Sequence, residues 1–309
     1  MVNNWYEMNT KSGNPAIRGI SKSRDRRRDK RKTGGTFLYC LMAGSLILVI
    51  LLLFSILIYI GVQSAGYLNF SFILGSGDGG ILPMIVTTLY VVLLSLGIAL
   101  PIGVMTAIYL NEYAGETGFI RIIRLAIETL AGIPSILYGL FGLLFFCRFF
   151  KFGQSIAAGA ATLSIMILPV IIRTTEESLK TIPDELRSAS LSLGAAKFQT
   201  ILHVVLPGAL PGIVTSAILA IGRVVGESAP VLLTVGITRN LPKSIFDSGR
   251  TLTIHLYYLT KEAVNPGDFG RAFATAGVLI ILVAIINWAA KSIAGRFSGF
   301  NAKGKWGGL

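Results

Sequence analysis

The sequence predicts an all-α, polytopic membrane protein with about six transmembrane helices. Hydrophobic residues make up 53% of the 309 residues and charged residues only 14%, whereas a soluble domain carries roughly a quarter charged residues. The apolar residues form long runs, and a helix needs about 20 such residues to cross a bilayer. The basic residues gather between and outside these runs. Together these features indicate bundled membrane helices rather than a soluble core.

Six apolar runs give the predicted spans in order, at residues 37–62, 81–110, 129–147, 153–172, 209–235 and 272–290. Prolines lie within or at the start of several of them, at Pro83, Pro101, Pro134, Pro169 and Pro230. Broken membrane helices are tolerated where they line a translocation path. Gly and Pro are also more frequent in membrane helices generally, so the prolines alone do not decide between the two readings.

The chain divides into a basic head at residues 1–35, a six-span membrane domain at 36–298 and a short tail at 299–309. The head holds ten of the 28 Lys and Arg residues and has little apolar surface, which predicts disorder. Nucleic-acid binding and a signal peptide are the alternatives for such a head. The apolar run that follows exceeds a signal-peptide core and lacks a convincing cleavage site. Retention on the cytoplasmic face of the lipid bilayer, with no nucleic acid as partner, is therefore the prediction.

The basic residues near the span ends predict that both termini lie in the cytoplasm of a cell (inner) membrane protein. Connections 111–128 and 173–207 are then cytoplasmic, and connections 63–80 and 148–152 lie outside. The outer connection 237–270 is an exception to the rule, because it carries four Lys and Arg residues.

Neither catalysis nor a cofactor is indicated by the sequence. It contains no G-x-x-x-x-G-K-[ST] phosphate loop and no H-E-x-x-H zinc motif. Cys40 and Cys147 both fall in apolar runs and imply neither a disulfide framework nor a metal site. The chain is predicted not to be an enzyme, and any use of ATP requires a separate subunit.

Connection 173–207 contains a short amphipathic helix. Pro183, Asp184 and Glu185 form a favourable helix start, with acidic groups at the positive end of the dipole. Apolar and small residues then recur at helical spacing before a glycine that can end the helix, at Leu186, Ala189, Ser190, Leu193 and Gly194. A helix lying on lipid is the alternative, but this one lacks a dense basic stripe and large anchoring residues. Its small side chains favour a protein groove.

The fifth predicted span carries Arg223, followed by Glu227 and Ser228. An arginine at this depth is costly, which makes a functional role the default. Its guanidinium matches tetrahedral oxyanions, and Glu227, four residues later, can partly neutralise it. These three residues are the predicted substrate pathway. A structural ion pair, or an arginine that reaches out of a shifted helix, remains the alternative.

Two motifs resemble a known family. Ser188-Ala189-Ser190-x3-Gly194-x9-Val204-Val205-Leu206-Pro207 is similar to the EAA loop of ATP-binding-cassette (ABC) importer permeases, with Ser188 in the place of the usual Glu. The segments G-I-P-S-I-L-Y-G-L-F-G from Gly132 and G-R-V-V-G-E-S-A-P from Gly222 resemble phosphate importer permeases, the PstA-type subunit more than its PstC-type partner.

The resemblance implies the type I (MetI-like) importer permease architecture and ATP-driven uptake of inorganic phosphate by alternating access. The implied partners are a PstC-type permease subunit, a PstB-type ATPase dimer and an extracytoplasmic phosphate-binding protein. The loop at 173–207 would couple to the ATPase through Asp184, Glu185, Leu186, Ala189, Leu193 and Gly194. The outer loop, with His255, Tyr257 and Tyr258, would either meet the binding protein or pack against the span ends.

Three other functions remain open. The cargo of an ABC permease of this kind could instead be sulfate, molybdate or an amino acid. A gradient-driven secondary transporter or channel would work without an ATPase but leaves the EAA-like loop unexplained. A structural or sensory membrane subunit leaves Arg223 unexplained.

Overall fold

The computed structural model describes residues 15–76, 80–115, 117–263 and 266–303, and this part of the chain is helical without a β-strand. Eleven helices follow in order: α1 (Pro15–Ala65), α2 (Phe70–Leu74), α3 (Leu82–Tyr113), α4 (Gly118–Ala131), α5 (Ser135–Phe149), α6 (Ile156–Lys180), α7 (Asp184–Ser192), α8 (Lys197–Gly226), α9 (Ala229–Thr234), α10 (Leu252–Glu262) and α11 (Pro266–Lys303). Wider π-helical turns occur at Tyr109–Tyr113, Leu143–Phe149 and Ile201–Val205.

Five of these helices are long and apolar enough to span a membrane by themselves: α1, α3, α6, α8 and α11. The sixth candidate is the pair α4 and α5, which meet at an angle of 99°. The bend lies where Pro134 adopts an extended conformation (φ −56°, ψ 137°). Proline favours an extended residue before it and cannot donate the next helical hydrogen bond, so the helix ends before it and restarts after it. The all-helical, multi-span fold is confirmed.

Contacts show that the bent pair passes from one end of the bundle to the other. Near its start, Arg124 donates to the carbonyl of Leu110 at 3.2 Å and pairs with Glu176 at 3.0 Å, at the C-terminal ends of α3 and α6. At its far end, the Cys147 thiol approaches the carbonyl of Thr234 at 3.7 Å. The N-terminus of α6 lies at that same far end, because the Ile156 amide donates to the carbonyl of Asp247 at 3.1 Å. We therefore count α4 and α5 as one broken span.

The two ends of the bundle carry different elements. The α7 end carries the C-termini of α3 and α6, the N-termini of α4 and α8, and α7 itself. The loop end carries the C-termini of α5 and α8 and the N-terminus of α6, together with α9, α10 and the segment 235–251. The helix α8 runs between the two ends, as α6 does.

The centre of the bundle is α6, and 67% of its most apolar stretch is buried. Small and hydroxyl residues allow close approach there: the Ser164 hydroxyl donates to the carbonyl of Ser95 at 3.1 Å. A Cβ atom on Gly103 of α3 would come within 2.6 Å of Ile171. Such contacts are the usual basis of helix packing in membranes, where hydrophobic burial gives no preference for protein over lipid.

The basic head is partly helical. Residues 1–59 and 60–309 form separate units, and α1 extends back to Pro15, into the segment for which the sequence predicts disorder. Lys and Arg are good helix formers, and extension of an existing helix requires no new nucleus. Residues 38–59 are exposed or half-buried and mainly apolar, as a lipid-facing surface requires. Residues 1–14 and 304–309 lie outside the described residues, and α11 reaches Lys303 within the predicted tail.

The largest difference from the predicted spans concerns the fifth. It begins earlier than residue 209 and ends at Gly226 rather than at 235. Glu227 is extended (φ −76°, ψ 132°), and the short helix α9 follows. The ring of a proline clashes with the carbonyl four residues earlier, and Pro230 stands four residues after Gly226. The break in the chain therefore falls beside the predicted pathway residues.

Candidate functional site

Arg223 and Glu227 meet at the break after α8. Arg223 lies in the last turn of that helix, and its Nε is 3.8 Å from Oε1 of Glu227. Both side chains are largely enclosed, with exposed fractions of 30% and 17%. The sequence predicts Glu227 on the same helical face as Arg223. The pairing exists, but Glu227 reaches its partner from an extended residue just beyond the helix. A cation with an adjustable counter-charge is thus held where the backbone leaves the helix.

The motif that contains this break packs against the motif from Gly132. A Cβ atom on Gly139 of α5 would come within 2.8 Å of the Pro230 Cα and 3.2 Å of the Ala229 carbonyl oxygen in α9. Tyr138, beside it, is buried and donates its hydroxyl hydrogen to the carbonyl of Leu130 at 2.7 Å. Taken alone, an apolar helix with several glycines indicates close packing. Their partner could not be identified from the sequence, because it lies about 90 residues away along the chain.

Ser228, the third predicted pathway residue, faces a different space. It lines a mainly apolar cavity of about 420 Å³ together with Thr253, Leu256 and Tyr257 of α10 and with residues of α11. Among the described residues that line this cavity, neither Arg223 nor Glu227 is found. The structure therefore joins two of the three predicted residues and separates the third.

At the α7 end, the predicted amphipathic helix is present. It begins at Asp184 after Pro183, with Asp184 and Glu185 in its first turn. After α7 the chain turns through Gly194, whose φ of +86° is in the left-handed region. A Cβ atom there would meet no other atom, so the glycine is required by backbone conformation and not by space.

No residue of α7, which the structure describes completely, is buried. Leu186 is 50% exposed and Leu193 just after the helix is 89% exposed, and Ala189 is also exposed. Ser190, predicted on the same face of the helix as these residues, is half-buried instead. Its hydroxyl lies 3.0 Å from that of Thr200. An apolar surface of leucines outside the spans thus lacks a partner within the described chain.

Two charged residues at this end, Arg187 and Glu112, were not predicted as functional from the sequence. They form an ion pair of 3.0 Å between α7 and the end of α3. In the sequence, Arg187 is one of several basic residues in a connection between spans, and Glu112 is the first acidic residue after a span. Neither belongs to a recognisable motif. No local pattern links them, since 75 residues separate them.

At the loop end, α10 packs against the ends of the spans. The Thr253 hydroxyl donates to the carbonyl of Val225 at 2.6 Å, and the Leu252 amide donates to the Thr88 hydroxyl at 3.0 Å. Arg250 is buried, and its guanidinium lies 4.6 Å above the Tyr258 ring. Of the two roles expected for this loop, packing against the spans is therefore the one that these contacts support.

His255 is buried in this loop and cannot be part of an exposed receiving surface. Burial, reinforced by the positive charges of Arg250 and Arg239, lowers the pKa of its imidazole from 6.5 to about 4. Its side chain borders a cavity of about 200 Å³ that Arg271, Glu262 and Asp268 also line. Because that lining carries charges of both signs, the cavity does not present a simple anion site.

Among the described residues, no group of three or more His, Cys, Asp and Glu side chains is placed to hold a metal ion. Several of the described charged residues are instead paired with one another. At the α7 end, Glu176 pairs with Arg124 at 3.0 Å and with Lys180 at 2.9 Å.

A bundle of membrane helices in which one span, α8, ends at a charge pair, with exposed leucines at one end of the bundle, is compatible with a membrane transport subunit. The chain belongs to the family of binding-protein-dependent transport system inner membrane components, whose family model matches residues 99–299. It is therefore the permease subunit of an ABC importer, a multi-pass inner-membrane protein that works with a separate ATPase and a binding protein, and it is not itself catalytic.

Relatives are found among bacterial permeases. The chain is 34% identical to the probable ABC transporter permease protein YqgI of Bacillus subtilis over 281 residues, which are 85% of this chain and 94% of the relative. It is 37% identical to the phosphate transport system permease protein PstA 1 of Mycobacterium tuberculosis over 281 residues, with 87% and 90% of the two chains covered.

Two solved transporters share the fold. A chain of the inward-facing MetNI methionine ABC transporter matches with a TM-score of 0.55 and 24% identity, covering 71% of this chain and 94% of that one. A chain of the bacterial alginate ABC transporter in complex with its alginate-bound periplasmic protein matches with a TM-score of 0.65 and 14% identity, covering 89% and 97%.

Proposed function

We propose that this permease carries inorganic phosphate into the cell as the PstA-type subunit of a phosphate importer. Its partners would be a PstC-type permease, a PstB-type ATPase dimer and an extracytoplasmic phosphate-binding protein. The similarity to PstA 1 along most of both chains supports the substrate. The observation that carries the proposal is the Arg223–Glu227 pair at the break of α8.

The chemistry of this pair suits a transported oxyanion. A guanidinium presents several N–H donors in a plane that matches phosphate oxygens. At 3.8 Å, Nε of Arg223 and the Glu227 carboxylate are close enough to attract each other but too far apart for a strong hydrogen bond. Phosphate can therefore replace the carboxylate as the partner of Arg223, and the carboxylate can displace phosphate afterwards. Such competition gives attraction without trapping.

The energy would enter at α7. Its exposed leucines, with Asp184 and Glu185 at its start and Gly194 after its end, form the surface on which the ATPase docks in this proposal. Closure of the ATPase on ATP would then move α7 and the attached span ends, so that the pathway opens alternately to the two sides. The α7 end faces the cytoplasm in this arrangement.

Transport by the reconstituted complex tests the substrate. The permease is combined in proteoliposomes with the proposed partner subunits and ATP, and uptake of radiolabelled phosphate is measured with and without excess unlabelled sulfate, molybdate or amino acid. We expect ATP-dependent phosphate uptake that none of these competitors reduces. The same assay is repeated with radiolabelled sulfate, molybdate or amino acid. ATP-dependent uptake of one of these with none of phosphate would show that the substrate is wrong, while uptake without any ATPase would contradict the mode of energy supply.

A further inference from the structure

Arg187 of α7 is bonded to the ends of two different spans. Its guanidinium donates to Oε1 of Glu112 at the end of α3, from Nη2 at 3.0 Å and from Nε at 3.3 Å. Nη2 also donates to the carbonyl of Leu179 in α6 at 2.9 Å, and Nη1 donates to the carbonyl of Ile182 just after α6 at 2.6 Å. One side chain therefore holds α7 to α3 and α6 together.

This attachment is enclosed and geometrically fixed. Arg187 is only 17% exposed and Glu112 only 8%. The planar fork of a guanidinium allows several bonds in one fixed arrangement. Removal of one member of an enclosed charge pair leaves the other charge uncompensated. The additional pair of Arg187 with Asp184 is of a different kind, because Asp184 is 94% exposed and such pairs contribute little.

The other attachments of α7 are few. None of its residues is buried, so it has no apolar anchoring of its own to the bundle. Beyond the chain connections at its ends, the Ser190–Thr200 hydroxyl contact at 3.0 Å links it to the start of α8. The spans to which Arg187 is bonded are, by contrast, firmly packed: Leu110, Leu179 and Val205 share one buried apolar cluster at this end.

We propose that Arg187 and Glu112 form a rigid joint through which a displacement of α7 is transmitted to α3 and α6. Arg187 is in this sense a positioning residue of the transport cycle, and it contacts neither substrate nor nucleotide. The inference rests on the proposed docking of the ATPase on α7. Without the joint, the ATPase would still bind α7 and hydrolyse ATP, but α7 would move with little movement of the spans.

The test separates ATP hydrolysis from transport in the reconstituted importer with inorganic phosphate as substrate. Glu112→Gln and Arg187→Lys each keep a polar side chain of similar length and remove the charge pair or its forked geometry. We expect either variant to assemble with the ATPase and to retain ATP hydrolysis in the absence of substrate. The ratio of phosphate taken up to ATP hydrolysed should fall by at least about fivefold. The exposed pair Arg173–Glu128, at 3.1 Å, supplies the matched controls Arg173→Lys and Glu128→Gln, which should change this ratio by less than about twofold.

The double variant distinguishes a joint from two independent supports. If the two residues act as one unit, Glu112→Gln combined with Arg187→Lys is no worse than the more severe single change, whereas independent effects multiply. Normal uptake per ATP in both single variants, multiplying effects, or loss of ATPase binding by a normally folded permease would each overturn the proposal. If one single variant fails to fold, the other decides the question.

Two further measurements distinguish failure of the joint proposal from failure of the proposed function. Leu193→Asp changes the exposed apolar surface just after α7 and does not alter either residue of the joint. ATPase binding that survives this change would show the docking assignment to be wrong, and the joint proposal would fall with it. If the wild-type complex transports sulfate or molybdate in place of phosphate, the substrate assignment alone is wrong. Uptake per ATP hydrolysed is then measured in the same variants with the transported anion.

Discussion

Arg223 is the residue on which the substrate assignment depends most directly. It lies in the last turn of a membrane-crossing helix, is 30% exposed and has Glu227 as its partner. A structural ion pair and a substrate contact make different demands on this arginine. The first requires only that the positive charge be compensated, while the second requires the charge to remain available to a passing anion.

We predict that Arg223→Gln lowers phosphate uptake by about 10- to 100-fold, because charge-assisted hydrogen bonds contribute about 1.5–3 kcal/mol. Uptake is measured in the reconstituted complex after assembly has been verified by co-purification. Arg173→Gln, which breaks a pair exposed by more than half on both sides, serves as the control. Wild-type uptake by Arg223→Gln would remove this residue from the pathway and leave it a structural role.

His255 is a titratable residue whose pKa is lowered in the folded protein. It is buried beside Arg250 and Arg239, and its pKa falls from 6.5 to about 4. As the pH falls from 6.5 towards 4, the unfolded chain binds the proton first, so the free energy of unfolding decreases over this interval. The largest possible loss is about 3 kcal/mol, at about 1.4 kcal/mol for each unit of pKa.

We therefore predict that His255→Gln reduces the loss of thermal stability between pH 7 and pH 5, measured on the purified permease in detergent. The chain has one other histidine, His203, which is exposed and provides the control as His203→Gln. An unchanged pH dependence in His255→Gln, with its fold intact, would contradict burial of this imidazole in the neutral form.

At the scale of elements, α7 depends on how its C-terminal turn is made. Gly194 has a φ of +86° and open space around it, so any penalty of a larger residue arises from the backbone. A left-handed conformation costs a residue with a side chain about 1–2 kcal/mol, and Asn tolerates it best. The path of the chain from α7 to α8 is therefore under conformational control.

We predict that Gly194→Ala reduces the stimulation of ATP hydrolysis by substrate-loaded binding protein and that Gly194→Asn retains more of it. The measurement is the ratio of stimulated to basal hydrolysis in the reconstituted complex. Gly118→Ala is the control, since Gly118 begins α4 at the same end and also has nothing within 4 Å of an added Cβ. Equal behaviour of Gly194→Ala and Gly118→Ala would mean that the left-handed turn does not matter for coupling.

The elements differ in how far the sequence determines them. The six spans follow from hydrophobic length, which the bilayer imposes on any crossing segment. The start of α7 follows from Pro183 and two acidic residues, which act locally. The 99° bend before α5 could not be predicted in the same way, because a proline in a membrane helix is compatible with a kink as well as with a break.

The candidate site was predictable only in part for a related reason. Arg223 and Glu227 are four residues apart, so their pairing could be predicted from helical geometry even though the helix itself ends between them. The contact of Gly139 with Pro230 and the bond of Arg187 to Glu112 join segments that are distant in the chain. Such contacts depend on the packing of whole helices, and no local spacing encodes them.

At the scale of the whole molecule, the orientation in the membrane depends on the chain termini more than on the loops. The connections at the α7 end carry six Lys and Arg residues, at 121, 124, 173, 180, 187 and 197. Those at the loop end also carry six, at 148, 151, 239, 243, 250 and 261. Arg250 of the second group is buried against Tyr258 and is engaged within the protein. The ten basic residues of the head therefore decide the prediction that the α7 end is cytoplasmic.

We predict that Lys243→Cys is labelled from outside intact spheroplasts by a membrane-impermeant maleimide, and that Ser188→Cys is labelled only after the membrane is opened. Both positions are exposed, and α8 between them has 30 residues, or about 45 Å of helix, enough to place them on opposite sides of the bilayer. Cys40→Ala and Cys147→Ala remove the native thiols. The reverse labelling pattern would invert the membrane orientation, and it would place α7 where no cytoplasmic ATPase could reach it. Labelling of both positions from one side would contradict α8 as a single span.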